Sequence, residues 1–332
     1  MERIFEAIQE DRPGPHWQSL FQRHWAAYKR WFLREGDKAR PFYLSARRAL
    51  KTHMPELVPT YDQLVELAGG SDLAARFLTL YCPPPYVSGC SQAVWPGNPP
   101  VLVRNYDYSP QLFEAVILKT AWNGRPVIAM SDCLWGVVDG INGDGLAVSL
   151  TFGGRRIVGK GFGMPLILRY ILEFCTTTQE AMTALQRLPT HMAYNVTALD
   201  RFHICRTAYL SPDRPAVVKQ TRVATNHQQT VEWHQHARAT ATIERERFLS
   251  LRLRENMDSP DKLIQTFLRS PLYSTAYRRG FGTLYTAVYR PDEGEVDYLW
   301  PNGRWFQSFK AFEEGVRMVR FPEVPEDLEL LH

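Results

Sequence analysis

The chain has 332 residues, of which 45% are hydrophobic and 22% are charged. This balance is typical of a folded globular protein and excludes a disordered or low-complexity chain. The formal net charge of +4 is small for this length and does not indicate nucleic acid as a partner. The length leaves a choice between one large domain and two ordinary ones.

No apolar run reaches the roughly 18 residues that a membrane helix needs, and the first residues lack the basic and then apolar pattern of a signal peptide. We therefore predict no membrane contact and a cytoplasmic location. An odd number of cysteines does not favour a disulfide framework, so reduced thiols are expected. The five cysteines are Cys82, Cys90, Cys133, Cys175 and Cys205.

The first eighty residues or so are predicted to be helical. From Trp17 to Phe32 the apolar positions recur every three or four residues, which is the spacing of an amphipathic helix. The triple proline Pro83–Pro85 ends this region and marks a boundary along the chain. Three further helices are predicted before it, over Tyr43–Thr52, from Thr60 onward and after Ser71.

Beyond the prolines, short segments rich in β-branched and aromatic residues alternate with Gly, Pro or Asn, which is typical of strands. Helices are predicted over Met164–Phe174, Thr178–Leu188, Ala237–Glu255 and Pro260–Leu268. Runs of strands separated by paired helices favour antiparallel sheets covered by helices. The predicted strands are 101–108, 113–120, 126–131, 146–152, 192–199, 202–209, 283–289 and 295–300.

Cys90 is the cysteine whose neighbours carry chemistry. A hairpin that turns at Gly97-Asn98 places it opposite Asn105, between Arg104 and Asp107. Strict alternation puts that arginine and that aspartate on opposite faces of the strand. A guanidinium beside a thiol lowers the pKa of the thiol and favours the thiolate nucleophile. The alternative is an ordinary ion pair between Arg104 and Asp107 on the hairpin.

The segments Gly89–Gln92 (GCSQ) and Arg104–Tyr108 (RNYDY) resemble the penicillin acyltransferase-like family of N-terminal-nucleophile (Ntn) hydrolases, which is related to choloylglycine hydrolases and acid ceramidase-like amidases. In those families a cysteine is followed across one hairpin by Arg-Asn-x-Asp. The helical stretch Glu56–Leu80 is also similar to the region that these proteins place before the nucleophile. Further segments match in the expected order: 139–146 (DGINGDGL), 225–227 (TNH), 282–286 (GTLYT) and 300–303 (WPNG).

The resemblance implies an α+β fold, the four-layer αββα Ntn-hydrolase sandwich of antiparallel sheets. Residues 1–89 would be a helical N-terminal region and residues 90–332 the catalytic unit. The bond between Gly89 and Cys90 would be an autocleavage site, which makes the cysteine a new N-terminus. Its own α-amine then serves as the general base for its thiol.

The resemblance also implies roles for residues around that cysteine. Arg104 would stabilise the thiolate or bind substrate, and Asp107 would hold the α-amine. Asn226 would donate its side-chain amide to the oxyanion, with the backbone N–H of Thr151 as a second donor. A further arginine is expected on the helix after the TNH segment. Arg245 and Arg247 both fit, and Arg247 is favoured; the alternative for either is a solvated charge.

The implied activity is that of a cysteine amidohydrolase or N-acyltransferase acting on a linear, non-peptide amide through a thioester. Water or another amine accepts the acyl group, so the predicted partners are a small-molecule amide and an amine acceptor. No cofactor, metal or nucleic acid is implied, and homo-oligomerisation is left open. One alternative is an uncleaved or non-catalytic binding protein on the same fold.

Histidines offer a second alternative, a metal site. A His-x-His pair on a strand puts two imidazoles on one face, which is a real ligand geometry. No acidic or cysteine partner lies at a recognised spacing, so the metal site is the weaker hypothesis. The residues concerned are His203, Cys205, His227, His234 and His236.

Overall fold

Two stacked β-sheets form the centre of the structure, a computed structural model that describes residues 1–255, 259–279 and 281–321. Residues 322–332, the end of the predicted catalytic unit, lie outside the described residues. The strands in chain order are β1 (Glu2–Glu10), β2 (Gly89–Trp95), β3 (Val101–Tyr108), β4 (Val116–Thr120), β5 (Val127–Asp132), β6 (Gly136–Asn142), β7 (Leu146–Phe152), β8 (Tyr194–Asp200), β9 (Cys205–Ser211), β10 (Arg214–Lys219), β11 (Val223–Ala224), β12 (Gly282–Arg290), β13 (Glu295–Trp300), β14 (Gly303–Ser308) and β15 (Gly315–Arg320).

The larger sheet has the strand order β10-β9-β8-β7-β6-β5-β4-β1-β15, and the smaller sheet the order β11-β2-β3-β12-β13-β14. Neighbouring strands are antiparallel except β1 and β4, which are parallel. The helices are α1 (Pro15–Phe32), α2 (Tyr43–His53), α3 (Val58–Leu67), α4 (Asp72–Leu78), α5 (Met164–Phe174), α6 (Thr178–Arg187), α7 (His234–Ala239), α8 (Thr242–Arg254) and α9 (Pro260–Phe267).

The layers follow from which helices cover which sheet. α5 and α6 pack on the larger sheet, whereas α8 and α9 pack on β2 and β3 of the smaller one. The two sheets meet where β2 faces β7. These contacts confirm the predicted α+β fold with αββα layers. Among the described residues, no helix combines the length and the apolar character needed to cross a bilayer.

A buried polar link fixes the sheets against each other near the start of β2. The side-chain nitrogen of Gln92 donates to the hydroxyl of Thr197 at 2.7 Å, and its oxygen accepts from the hydroxyl of Ser149 at 2.5 Å. All three side chains are fully buried. Because buried polar groups need partners, this pairing allows only one relative position of the strands.

The N-terminal region is helical from Pro15 onward, but its first residues form β1, so the prediction of a wholly helical region is corrected. β1 lies inside the larger sheet, between β4 and β15. Phe5 and Ala7 are buried, but Ile8 beside them is buried too, so the burial of this segment does not alternate strictly enough to separate strand from helix by period alone. α1 is also tied to the sheet, since the indole N–H of Trp17 donates to the carbonyl of Leu134 at 3.0 Å. Residues 1–89 therefore belong to the same folded body as the sheets.

Candidate active site around Cys90

The β2–β3 hairpin positions Cys90 opposite Tyr106, so the predicted pairing with Asn105 is wrong by one residue. The strands are joined by the five residues 96–100. An odd number of loop residues puts the centre of the turn on Asn98 itself, which shifts the register by one position.

Alternation along β3 places Arg104 and Asp107 on opposite faces, as predicted. Arg104 shares the inter-sheet face with Cys90, and its Nη2 donates to Sγ across 3.4 Å. Asp107 faces the helices, where it accepts from the hydroxyl of Thr283 at 2.6 Å and pairs with Arg245 at 3.4 Å. The alternative of an ion pair between Arg104 and Asp107 is therefore wrong.

Arg104 is fully buried and forms its ion pair with Asp139 of β6. That carboxylate also accepts hydrogen bonds from the hydroxyls of Tyr285, at 2.5 Å, and of Tyr289. A further bond from Nε to the carbonyl of Leu150, at 3.0 Å, fixes the guanidinium plane. Sequence reasoning assigned no role to this aspartate. The one indication in the sequence that Asp139 matters was its position as the first residue of the 139–146 segment.

The Asn226 side chain contacts the chain on both sides of the peptide bond that precedes the cysteine. Its oxygen accepts from the backbone N–H of Cys90 at 3.0 Å and from Arg245 at 2.7 Å. Its nitrogen donates to the carbonyl of Ser88 at 3.3 Å. The loop is fixed because the backbone N–H of Asn226 donates to the hydroxyl of Thr242, the first residue of α8, at 2.7 Å.

The structure brings Arg245, and not the favoured Arg247, to the site. The predicted single helix is divided at Ala241, which has a left-handed φ of 46°, and α8 begins directly after it. Arg245 lies on the buried face of α8, and Arg247 is exposed. Nη1 of Arg245 donates to the carbonyl of Cys90 at 2.9 Å and to the hydroxyl of Ser91 at 2.7 Å.

This difference predicts unequal stability losses in two matched variants. Arg245→Met leaves the buried carboxylate of Asp107 without its cation, which costs about 3–5 kcal/mol of unfolding free energy. Arg247→Met removes a solvated charge and is expected to change that free energy by less than about 0.5 kcal/mol. Urea denaturation of both variants measures the difference. Equal losses would contradict the assignment of Arg245 to the site.

Thr151 is buried on β7, and its side chain supports the loop that carries Asn226. Its hydroxyl donates to the carbonyl of Thr225 at 2.7 Å, and the amide of Asn195 donates to both of these oxygens. The next residue, Phe152, offers its carbonyl to the Asn226 nitrogen at 3.2 Å. The side chain thus positions the amide, and the oxyanion role of the Thr151 backbone N–H stays a prediction.

Burial and charge act against each other on the thiol. Burial raises the pKa of Cys90, while the charge of Arg104 lowers it and that of Asp107 raises it. Burial also raises the pKa of Asp107, against the lowering effect of Arg245. Burial alone would lower the pKa of Arg104, but the charges of Cys90 and Asp139 raise it well above its ordinary value. The thiol of the intact chain is therefore held neutral beside a permanent cation.

The site is closed to solvent in the intact chain. The side chains of Cys90, Arg104 and Asn226 are 0% exposed. Ser88 is buried, with its hydroxyl 3.9 Å from Sγ. A Cβ at Gly89 would overlap the ring of Phe281, so only glycine fits there without displacing that ring.

The histidines do not form the predicted pair of imidazoles. His234 and His236 lie on α7 and not on a strand, and residues two apart on a helix do not share a face. His227 instead contacts Glu246 at 3.2 Å and the hydroxyl of Thr242 at 3.0 Å. Within the described parts of the chain, no group of three His, Cys, Asp or Glu side chains is arranged to hold a metal ion.

Comparison with known proteins identifies the family. Residues 94–305, more than half of the chain, match the family described as acyl-coenzyme A:6-aminopenicillanic acid acyl-transferase. The match begins just after Cys90. No curated protein matches the sequence.

Solved structures similar to this chain include an acylase, an acid amidase and a bile acid hydrolase. Penicillin V acylase from Agrobacterium tumefaciens has a TM-score of 0.48 and 12% identity, over 69% of this chain and 90% of that one. The Caenorhabditis elegans ortholog of N-acylethanolamine-hydrolyzing acid amidase has a TM-score of 0.43 and 16% identity, over 65% and 99%. A mutant of conjugated bile acid hydrolase from Clostridium perfringens has a TM-score of 0.40 and 12% identity, over 70% and 97%.

The family match runs from β2 to β14 and so includes Arg104, Asp107, Asn226 and Arg245, the residues that surround the thiol. The family predicted from the sequence is confirmed. The chain belongs to the acyl-coenzyme A:6-aminopenicillanic acid acyl-transferase family.

Proposed function

We propose that the protein is a cysteine Ntn amidohydrolase or N-acyltransferase, which acts on a linear amide through a thioester on Cys90. The observation that carries this proposal is the environment of one residue. The thiol lies 3.4 Å from the guanidinium of Arg104, and the backbone nitrogen lies 3.0 Å from the amide oxygen of Asn226. The nucleophile, which is the thiol, and its future base, which is the backbone nitrogen, thus belong to the same amino acid. Arg104 is the partner of the thiol, and Asn226 is the partner of the nitrogen.

Activation follows from cleavage of the bond between Gly89 and Cys90. The Sγ atom attacks the carbonyl carbon of Gly89, the C–N bond breaks, and the nitrogen takes the proton that the thiol gives up. Water then hydrolyses the thioester to a new carboxylate and a free thiol. The products are residues 1–89 and 90–332, and the second begins with a free α-amine whose reference pKa is about 8.

In the cleaved enzyme the same groups serve the substrate. The α-amine removes the proton from the thiol, and Arg104 stabilises the thiolate that forms. The amide of Asn226, released from the carbonyl of Ser88, donates to the oxyanion of the tetrahedral intermediate. Arg245 keeps the Asn226 oxygen, Asp107 and the start of β2 in place. The acyl group leaves to water or to an amine.

The two products are expected to stay together after cleavage. The N-terminal product contributes β1, which is hydrogen-bonded on both edges within the larger sheet. Removing it would open two unpaired strand edges and expose the core. The functional enzyme is therefore a two-chain body with the N-terminal region retained. Its five cysteines, all free of disulfides, suit a reducing compartment such as the cytoplasm.

Intact-mass measurement on the purified protein tests the proposal. We expect two masses, for residues 1–89 and 90–332, in the wild-type protein and one unbroken mass in Cys90→Ala. Cys175→Ala is the matched control, because it removes another buried thiol far along the chain from the cleavage point and should cleave normally. A single mass in the wild-type protein after prolonged incubation would contradict activation at Gly89. It would instead favour an uncleaved binding protein.

A further inference from the structure

A cavity of about 90 Å³ lies between α1 and the end of β3. This volume is several times the roughly 10–15 Å³ that a cavity needs to hold one water, so it has room for the end of a substrate chain. Both the N-terminal region and the catalytic unit contribute walls. Five of the twelve lining residues are aromatic: Tyr28, Trp31, Tyr86, Tyr108 and Phe113.

Two carboxylates, Glu114 and Asp132, face the same cavity. Glu114 is only 8% exposed and accepts hydrogen bonds from the hydroxyls of Tyr28 and Ser131 and from the backbone of Leu134. Asp132 accepts from the hydroxyl of Tyr28 at 3.2 Å and from the backbone N–H of the next residue at 2.9 Å. These bonds orient the acids but supply no positive charge.

The acid pair has no counter-cation among the described residues. Neither Glu114 nor Asp132 forms an ion pair with an arginine, lysine or histidine of the described ranges, whereas Asp139 and Asp107 at the Cys90 site are each paired with an arginine. Burial, followed by the charge of Glu114, raises the pKa of Asp132 to about 7. Buried charges are normally paired, and aromatic faces attract cations. The cavity therefore has the chemistry of a cation site.

Two segments of the chain lead from the cavity to the nucleophile within a few residues. Tyr108 lies two residues, or about 7 Å, along β3 from Tyr106, which is opposite Cys90. On the other side, Tyr86 lines the cavity and belongs to the segment that leads to Gly89, the acyl side of the bond to be cleaved. The hydroxyl of Tyr86 is buried and lacks a hydrogen-bond partner in the described structure. Residues 86–89, on the acyl side of the bond to be cleaved, thus lead from this cavity to Cys90.

We infer that this cavity binds the cationic end of the substrate's acyl group, so that the preferred substrates are amides of amino acids whose ammonium lies several bonds from the carbonyl. The inference rests on the proposed function, because the acyl group must first reach Cys90. An acyl chain that follows the path of the precursor's residues between Tyr86 and Gly89 puts its far end between Glu114 and Asp132. There the ammonium replaces the missing counter-cation.

Three p-nitroanilides test this inference on the cleaved enzyme: 6-aminohexanoyl, its neutral isostere heptanoyl, and butyryl, which is too short to reach the cavity. We expect kcat/KM to be at least about 10-fold higher for 6-aminohexanoyl than for heptanoyl, equivalent to about 1.4 kcal/mol. If butyryl is turned over but 6-aminohexanoyl is not preferred to heptanoyl, the inference is overturned and the proposed function stays intact. Failure to turn over any of the three would remove both.

Variants locate the preference in the cavity. Asp132→Asn is expected to lower the ratio of 6-aminohexanoyl to heptanoyl turnover, because it removes one of the two carboxylates that face the ammonium. Partial loss of folded protein cancels in this ratio, since both substrates meet the same sample. Ala27→Phe, on the exposed rim, fills the cavity and should also lower the ratio. Glu66→Gln, an exposed acid on α3, is the charge-matched control. A ratio unchanged by Asp132→Asn would refute the cation site.

Discussion

Replacing Arg104 with leucine is expected to slow chemistry at Cys90 by about 1,000-fold, because the thiolate loses its charged hydrogen-bond partner at 3.4 Å in a site without solvent. The same change is expected to lower the free energy of unfolding by about 3–5 kcal/mol, since Asp139 becomes an unpaired buried carboxylate. The pseudo-first-order rate of cleavage, followed by intact mass, measures the first effect. Urea denaturation measures the second.

A double variant separates these two effects. Arg104→Leu with Asp139→Asn removes both charges and keeps a partner for the hydroxyls of Tyr285 and Tyr289. We expect most of the lost stability to return, because no unpaired charge remains, while the cleavage rate stays low. Arg104→Lys keeps the charge and is expected to retain part of the rate. Recovery of the rate in the charge-free double variant would show that Arg104 acts on folding alone.

The fold was predictable where local pattern and tertiary burial agree. The predicted strands 101–108 and 146–152 and the helix 164–174 coincide with β3, β7 and α5. β1 was not predictable in this way, because its pairing with β4 and β15 joins segments far apart along the chain. Long-range pairing is fixed by the partner strands and leaves little trace in nine residues of local sequence.

The hairpin shows a second limit of sequence reasoning. Turn residues between Trp95 and Val101 are evident from composition, but the number of residues in the loop decides the register. Because the register was wrong by one residue, Asn105 was predicted opposite Cys90, whereas the structure has Tyr106 there. The separation of Arg104 and Asp107 onto opposite faces did not depend on this register, because it follows from alternation within β3 alone.

Some of the site residues were predictable from local sequence, and others were not, because they depend on tertiary structure. Cys90, Arg104, Asp107 and Asn226 carry recognisable local motifs, and the structure brings them together. The choice between two arginines on α8 was not predictable, because it depends on where the helix begins and hence on which face it buries. The partner of Arg104 was missed for another reason: an ion pair between β3 and β6 crosses from one sheet to the other, and no spacing rule describes such a contact.

Replacing Asn226 with leucine is expected to slow cleavage and acyl transfer by about 100- to 1,000-fold, at nearly unchanged side-chain volume. The amide is engaged through both of its polar atoms. Its oxygen accepts from the backbone N–H of Cys90, and its nitrogen donates to a carbonyl on the acyl side of the bond. Loss of one such oxyanion donor costs about 3–4 kcal/mol in the transition state. The rate of the mass change and the burst of p-nitroaniline with the butyryl substrate report the two steps.

Asn195 provides the matched control for this prediction, because it is an equally buried amide that supports the same loop and does not contact the cysteine. Its nitrogen donates to the carbonyls of Thr225 and His227. Asn195→Leu should lower the free energy of unfolding by about 1–3 kcal/mol, because these hydrogen bonds are lost and the carbonyl of Thr225 keeps only its bond from the hydroxyl of Thr151. Its cleavage rate should stay within about 10-fold of wild type. If the two leucine variants cleaved equally slowly, loop packing would explain both. If only Asn226→Leu is slow while both variants remain folded, the amide itself acts on the reacting carbonyl.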